Sequence, residues 1–228
     1  MRGAFRFVCL TDNADGLLPR IEALPIPEVG LWPEDWYRSG VWPKLGIYDG
    51  ALHGLRGRCV FIDLDMVVLR EVDDFFDAKG TYIGVDGGEN WGRLERGAAP
   101  ELCSALISFE IFANAKVADA FRAEPKRLMG SYRNEQAFTA GMLPDIRYWP
   151  SDWVISFKRS LRQPVGLDLV LQPKMPPRSA KVLAFHGTPR PMDRMGRCKR
   201  FWGRFLHMGH GAACWMVDYW RDNGGDRI

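Results

Sequence analysis

The sequence has 228 residues, of which 46% are hydrophobic and 26% charged. This is ordinary for a soluble globular protein and leaves enough chain for a core that needs no disulfides. The net charge of +3 is too small to indicate a nucleic-acid partner. The five cysteines are odd in number and widely spaced, with no C-x-x-C pair, which argues against a disulfide scaffold or a zinc site.

No apolar run approaches the roughly 18 residues that a membrane span needs, and the apolar run at residues 4–10, interrupted by Arg6, is too short for a signal peptide. The unpaired cysteines favour a reducing compartment. We therefore expect a cytoplasmic protein, either free or peripheral to the inner face of a membrane.

The first half of the chain predicts two strands and one helix. Residues 5–10 form a short apolar run that ends in a turn signal, which is typical of a buried strand. Residues 14–43 show no period and predict little regular structure. Apolar residues at helical spacing predict a short helix over residues 44–52. The first half of residues 59–69, the most apolar stretch, predicts a central strand.

The second half alternates strands and helices, which predicts an α/β fold with a mostly parallel mixed sheet flanked by helices. Strands are expected at residues 82–85, 106–109 and 182–185. Helices are expected at 114–123, closed by Pro125, at 131–142 with Ser131 as N-cap, and at 212–220. We expect one domain over residues 1–191, followed by a basic, aromatic tail over 192–228.

Asp63 and Asp65 interrupt the apolar run of residues 59–69. Charged groups are rarely placed in such a run unless a partner compensates them. In an extended strand, residues i and i+2 point to the same side. Two carboxylates on one side form a hard oxygen site suited to Mg²⁺ or Mn²⁺. A pair that merely begins a turn is the alternative interpretation.

The same local pattern is also typical of haloacid-dehalogenase-like phosphatases. In that reading Asp63 is the nucleophile that attacks phosphorus and Asp65 is the acid/base. Such enzymes also need a later Lys and a second acidic pair at the end of a strand. Asp73-Asp74 follows too soon for that role, so the phosphatase remains the second hypothesis.

A wider pattern over about residues 5–191 resembles GT-A-fold glycosyltransferases, in particular the family 8-like group that includes glycogenin and bacterial lipopolysaccharide galactosyltransferases. The resemblance rests on the order of five segments: Phe7-Val8-Cys9-Leu10-Thr11-Asp12, Trp42-Pro43-Lys44-Leu45, Phe61-Ile62-Asp63-Leu64-Asp65, Asn134-Glu135-Gln136 and Phe185-His186-Gly187-Thr188-Pro189-Arg190-Pro191.

The resemblance implies a role for each matched residue. The third segment is similar to the family's Asp-x-Asp motif, so Asp63, Asp65 and the late His186 are expected to hold Mn²⁺ or Mg²⁺. Glu135 and Gln136 are expected to act beside the reacting sugar carbon. Asp63 is also expected to bind the donor, together with Lys44, Leu64, Ser104, Gly187 and Arg190.

These roles imply an enzyme that transfers a hexose from a UDP-sugar to a glycan or lipid-linked glycan, with retention of configuration. Charge builds on the departing diphosphate, and a cation together with a basic side chain stabilises it. Arg190 stands where the family has Lys, and a guanidinium holds phosphate with two hydrogen bonds. Lys158 is interpreted either as a contact to acceptor or phosphate or as a surface lysine.

The chain also departs from the family pattern. It begins at what resembles the second strand, so the first strand-helix unit, which holds uracil and ribose in the family, is expected to be lacking. Cys103-Ser104-Ala105 replaces an Asn-Ser-Gly segment, and Glu135 replaces an Asp. A third hypothesis is therefore a nucleotide- or sugar-binding relic without activity.

The stretch of residues 190–204 concentrates positive charge, which suits a phosphate or an anionic membrane surface. A solvated basic tail is the alternative, and residues 197–202 fit either a membrane contact or a packed helix. The basic residues of this stretch are Arg190, Arg194, Arg197, Lys199, Arg200 and Arg204.

Overall fold

The computed structural model describes residues 2–88, 99–164, 166–167, 170–194 and 213–225. Its strands and helices form an α/β fold, as the sequence predicts. The strands are β1 (Val8–Leu10), β2 (Glu22–Leu24), β3 (Arg58–Ile62), β4 (Met66–Val68), β5 (Tyr82–Asp86), β6 (Leu102–Glu110), β7 (Arg147–Tyr148), β8 (Val154–Ser156) and β9 (Val182–Ala184).

The α-helices are α1 (Asp73–Asp77), α2 (Ala115–Ala123), α3 (Pro125–Ser131), α4 (Glu135–Met142), α5 (Phe157–Ser160) and α6 (Cys214–Asp222). Shorter 3-10 helices cover Pro33–Asp35, Trp42–Tyr48, Leu52–Gly54 and Pro191–Arg194. None of these described helices combines the length and apolar character needed to cross a membrane. Residues 197–202, predicted to touch a membrane or pack as a helix, lie outside the described residues.

The chain folds into two compact units, each assembled from three separate segments. Unit 1 comprises Met1–Phe61, Asp73–Gly84 and Leu102–Tyr148. Unit 2 comprises Ile62–Val72, Val85–Glu101 and Trp149–Ile228.

Unit 1 is built around a four-stranded sheet with the order β3-β6-β5-β7, in which β5 and β7 are parallel. Strands β1 and β2 form a separate parallel pair. Aromatic rings fill the core: Trp42 stacks on Phe121 with ring centroids 5.3 Å apart, and Phe121 contacts Phe138 at 5.8 Å. Stacked and tilted ring pairs of this kind add to the free energy gained by burying the apolar surface.

Unit 2 contains a three-stranded sheet with the order β4-β9-β8. Strands β4 and β9 are antiparallel, with Met66 opposite Ala184, whereas β8 and β9 are parallel, with Ser156 opposite Ala184. Phe157 and Phe185 stack at 4.7 Å in its core. The register places the first residue of β4 beside the last residues of β8 and β9.

Residues 14–43 carry little regular structure, as predicted, although they include the three-residue strand β2. Two other sequence predictions about elements are wrong. Residues 44–52 do not form one α-helix: residues 44–48 and Leu52 belong to two 3-10 helices that residues 49–51 separate. The helix predicted over 131–142 begins only at Glu135, because Ser131 ends α3 and Asn134 caps α4.

The strand of Asp63 and Asp65 also differs from the prediction. Strand β3 ends at Ile62 and stands at the end of its sheet's order, so it is not central. Residues 63–66 form a turn, closed by the Met66 N–H that donates to the Asp63 carbonyl at 3.2 Å. The alternation of an extended strand therefore does not set the directions of the two carboxylates.

Candidate functional site

Four predicted site residues meet in unit 1, and we call Lys44, Ser104, Glu135 and Gln136 the Ser104 cluster. The Ser104 hydroxyl donates to Glu135 Oε1 at 2.6 Å, and Gln136 Oε1 accepts the Ser104 backbone N–H at 2.8 Å. Lys44 Nζ donates to the Ser104 carbonyl at 2.9 Å and lies 3.9 Å from Glu135 Oε1. The cluster therefore joins residues from three distant parts of the chain.

Different elements deliver the members of the Ser104 cluster. The lysine lies on the 3-10 helix Trp42–Tyr48, the serine on β6, and the Glu-Gln pair at the start of α4. Asn134 caps α4, because its side-chain oxygen accepts the Ala137 N–H at 2.9 Å. Such a cap satisfies a donor that the first helical turn leaves unpaired. The cap thereby fixes the start of the helix at Glu135.

Burial separates the roles of the cluster's members. Glu135 is only 4% exposed, whereas Gln136 is half-buried. A buried carboxylate is costly unless a cation and hydrogen bonds compensate it. Lys44 supplies the cation, since its side chain is 7% exposed, and its Nζ also lies 4.6 Å from the centre of the Phe61 ring. Glu135 thus serves as a buried counter-charge, and Gln136 is the member that is closer to solvent.

A pair of buried tyrosines, missed by the sequence analysis, lies in the same unit. The hydroxyls of Tyr48 and Tyr82 are 2.7 Å apart. Burial raises the pKa of both phenols, and the negative charge of Glu135 raises them further. Both hydroxyls therefore stay protonated near neutral pH. Tyr48 and Tyr82 lie in separate predicted elements, and no spacing in the sequence links them.

Unit 2 holds the predicted acidic residues. Asp63 and Asp65 are half-buried, and Leu64 between them is 95% exposed at the tip of the turn. The Asp65 carboxylate accepts a hydrogen bond from Arg190 Nη1 at 3.3 Å. The Asp65 carbonyl accepts the Phe185 N–H at 2.9 Å, which continues the β4–β9 pairing. This pairing brings the turn beside the segment that carries His186.

His186 is held by two hydrogen bonds from the β8–α5 segment. Its Nε2 atom lies 2.7 Å from the Ser156 hydroxyl, and its carbonyl accepts a hydrogen bond from Lys158 Nζ at 2.7 Å. Burial lowers the pKa of His186, and the positive charges of Lys158 and Arg159 lower it further. The imidazole is therefore neutral near neutral pH, as a metal ligand must be.

Gly187 shapes the turn after His186. Its φ is +72°, a left-handed conformation that residues with a side chain rarely adopt. Lys158 Nζ lies 3.5 Å from the place of a Cβ atom at this position. Burial lowers the pKa of Lys158, and the charge of Arg159 adds to that effect. Lys158 is thus a half-buried residue of α5 whose ammonium reaches the turn, and not a solvated surface lysine.

The donor atoms of Asp63, Asp65 and His186 are chemically suited to Mn²⁺ or Mg²⁺. Within the described part of the chain, however, no three His, Cys, Asp or Glu side chains are gathered closely enough to hold a metal ion. Asp65 binds Arg190 instead. One oxygen of the Asp65 carboxylate, Oδ2, is thus already paired with a guanidinium.

Ser156 is a site residue that the sequence analysis passed over. Its place in the site depends on the parallel pairing of β8 and β9. That pairing sets Ser156 opposite Ala184, two residues before His186. The sequence offers one indirect signal, the basic pair Lys158-Arg159, which follows Ser156 after Phe157.

Comparison with known proteins adds no assignment: no family model matches the chain, and a search of curated proteins finds no match.

Proposed function

We propose that the protein is a metal-dependent glycosyltransferase that moves a hexose from a UDP-sugar to a glycan or lipid-linked acceptor, with retention of configuration. The observation that carries this proposal is the Ser104 cluster. The resemblance implies that Lys44, Ser104 and the Glu135-Gln136 pair act on one donor sugar, and their side chains meet although the chain separates them widely.

The surroundings of the Ser104 cluster support its part in this reaction. In this proposal the half-buried Gln136 contacts the sugar near its reacting carbon, while the buried Glu135 carboxylate, 3.9 Å from Lys44 Nζ, is the counter-charge of that ammonium. Such preorganised charges stabilise a transition state because they need no reorientation during the reaction. Glu135 therefore contributes by positioning Lys44 and Ser104.

The residues to which the resemblance assigns the departing nucleoside diphosphate lie in unit 2. Asp63, Asp65 and His186 would hold the divalent cation, which neutralises charge on the phosphate oxygens when it is bound. Arg190, 62% exposed on its side chain, is within reach of solvent and can release Asp65 to bind phosphate through its guanidinium. Lys158, on α5, adds a second positive charge beside the His186 carbonyl.

The test is release of UDP from UDP-hexoses, measured with Mn²⁺ and with a chelator. We expect slow hydrolysis with Mn²⁺, lost with the chelator and reduced at least tenfold in Asp63→Asn and Asp65→Asn, on the order of what one electrostatic contact supplies. Asp152→Asn is the matched control, because Asp152 is an exposed aspartate of the same unit.

Two other results would replace the proposal. Cleavage of a generic phosphate ester with Mg²⁺, abolished in Asp63→Asn, would identify the phosphatase in which Asp63 is the nucleophile. Binding of UDP without turnover of any UDP-hexose would identify the inactive nucleotide-binding relic.

A further inference from the structure

Three aliphatic side chains lie together on the surface of unit 2. The N–H groups of Val170 and Leu171 both donate to the Leu167 carbonyl, at 3.1 and 2.8 Å, which is the spacing of one helical turn. Residues three and four positions apart share one face of such a turn. The exposed fractions are nevertheless 49% for Leu167, 79% for Val170 and 50% for Leu171. We call these three residues the apolar turn.

The chain on both sides of the apolar turn is anchored. The Lys174 N–H donates to the Leu161 carbonyl at 2.8 Å, and Gln163 Nε2 donates to the Gln172 carbonyl at 2.8 Å. Leu161 is only 1% exposed and belongs to the hydrophobic core of the unit. The two ends of the loop are therefore held at the core, while the apolar turn between them faces solvent.

Exposed basic side chains flank this loop on both sides. Arg159 lies on α5, directly before the loop, and Lys174 closes it; both are exposed. Arg178, four residues further along the chain, is exposed as well. In the sequence, residues 158–181 contain six basic residues and one acidic residue, Asp168. The apolar turn thus has a positive border.

This combination suits an anionic lipid surface better than a protein partner. Protein interfaces are anchored mainly by aromatic side chains, and residues 158–181 contain no Phe, Tyr or Trp. A bilayer instead accepts aliphatic side chains at the boundary between headgroups and acyl chains, and its anionic headgroups attract Lys and Arg. Adjoining exposed apolar side chains are also a mark of interaction sites.

We propose that the apolar turn docks unit 2 on an anionic lipid bilayer, with Arg159, Lys174 and Arg178 bound to the headgroups. The three aliphatic side chains enter the boundary between headgroups and acyl chains. This surface is distinct from residues 197–202, which the sequence analysis considered for a membrane contact. Docking itself does not depend on the proposed function. Its consequence for the substrate rests on that function: a transferase held at a bilayer acts on a lipid-linked acceptor.

The first test is co-sedimentation of the full chain with vesicles of phosphatidylglycerol mixed with phosphatidylcholine, and of phosphatidylcholine alone. We expect binding to the mixed vesicles that weakens at high salt, because salt screens the headgroup charge. Leu171→Ser should weaken this binding at least tenfold, since each CH₂ group withdrawn from a membrane corresponds to about a fourfold change. Leu18→Ser is the matched control, because Leu18 is a similarly exposed leucine of unit 1, and it should bind as the wild type does.

The second test removes the positive border. Lys174→Gln and Arg178→Gln should each weaken binding to the mixed vesicles about fivefold, the change that corresponds to one basic residue near an anionic surface. Lys116→Gln, at an exposed lysine of unit 1, should have no such effect. These side chains are all exposed, so the variants should keep the wild-type Tm. If Leu171→Ser does not, Val170→Ser, at the most exposed position of the apolar turn, takes its place.

Equal binding of the wild type and the apolar-turn variant, or no binding to the mixed vesicles, would overturn the proposal. Self-association that Leu171→Ser abolishes, without vesicle binding, would assign the apolar turn to a second copy of the chain instead. Failure of the proposed function is distinguishable. Vesicle binding that depends on Leu171, without turnover of any UDP-hexose, would remove the transferase and leave the docking surface intact.

Discussion

Glu135 and Gln136 are neighbours in the chain, yet they contact Ser104 in different surroundings. The Glu135 carboxylate is buried against Ser104 and Lys44, whereas the Gln136 amide belongs to a half-buried residue and accepts a backbone N–H. The resemblance assigns both residues to the reacting sugar. Their surroundings instead favour a structural charge at position 135 and a substrate contact at position 136.

Replacing Glu135 by Gln should therefore destabilise the fold. Glutamine keeps an oxygen for the Ser104 hydroxyl but removes the charge that faces Lys44. We expect the free energy of unfolding to fall by about 1.5–3 kcal/mol, as for other hydrogen bonds to charged groups. Urea unfolding followed by tryptophan fluorescence measures the change.

Two further variants define the origin of that effect. Glu135→Gln combined with Lys44→Met should cost less than the sum of the single changes, because the pair disappears together. Glu124→Gln, which breaks an exposed pair with Arg127, should change little. An unfolding midpoint in Glu135→Gln equal to that of the wild type would contradict the role of Glu135 as a counter-charge to Lys44.

At the scale of elements, the start of α4 can be tested directly. Asn134, and not Ser131, accepts the N–H of Ala137. We expect Asn134→Ala to lower the free energy of unfolding by about 0.5–2 kcal/mol, the usual cost of losing an N-cap. Ser131→Ala is the control, because its hydroxyl only donates to the Arg127 carbonyl on the exposed end of α3. Equal losses in the two variants would argue against this helix boundary.

Strand β3 carries Cys59, whose thiol should react slowly. Burial raises its pKa from 9.0 to about 11. The reactive thiolate is therefore about a hundredfold scarcer than for an ordinary thiol at pH 8. Alkylation of the native protein, mapped by mass spectrometry, should modify the exposed Cys214 before Cys59. The Cys59 rate should rise about tenfold per pH unit between about pH 7 and 9, since the whole interval lies below its pKa.

Rapid modification of Cys59 at pH 7 would show that β3 is open to solvent. Cys59→Ser removes the corresponding peptide signal and confirms its assignment. A serine at this half-buried position keeps the size of the side chain close to that of cysteine, so the strand itself should persist.

For the whole molecule, the proposed ligands should stabilise the fold. A ligand at about 100 times its Kd, bound only by the folded chain, adds about 2.7 kcal/mol to the free energy of unfolding. We expect UDP with Mn²⁺ to raise the Tm more than either alone. Stabilisation by Mg²⁺ with a phosphate ester, and none by any nucleotide, would favour the phosphatase.

The sequence predicts those parts of the fold that depend on local patterns. Strand β5 and helix α2 lie where apolar periodicity and Pro125 place them. Strand β2 escapes prediction because three residues gain their regularity from the partner strand β1. The bond between Ser156 and His186 likewise arises from strand pairing, which no short stretch of sequence encodes.

The residues of the candidate site likewise divide into those that the sequence identifies and contacts that arise only from folding. The resemblance identifies Lys44, Ser104 and Gln136 as a group, and their contacts depend on long-range packing that composition and spacing do not contain. The Arg190–Asp65 pair was not expected, because arginine was assigned to phosphate alone. Which acidic side chain an arginine pairs with depends on the charges that folding brings close to it.

The interleaved segments of the two units also govern how the chain is made. Synthesis runs from the N-terminus, so unit 1 has all of its segments once Tyr148 has been added. Strand β4 is translated early, whereas its partner β9 and the neighbouring β8 both follow Trp149. Throughout that interval β4 lacks its sheet partner β9, and an unpaired strand edge of this kind is open to pairing with another chain.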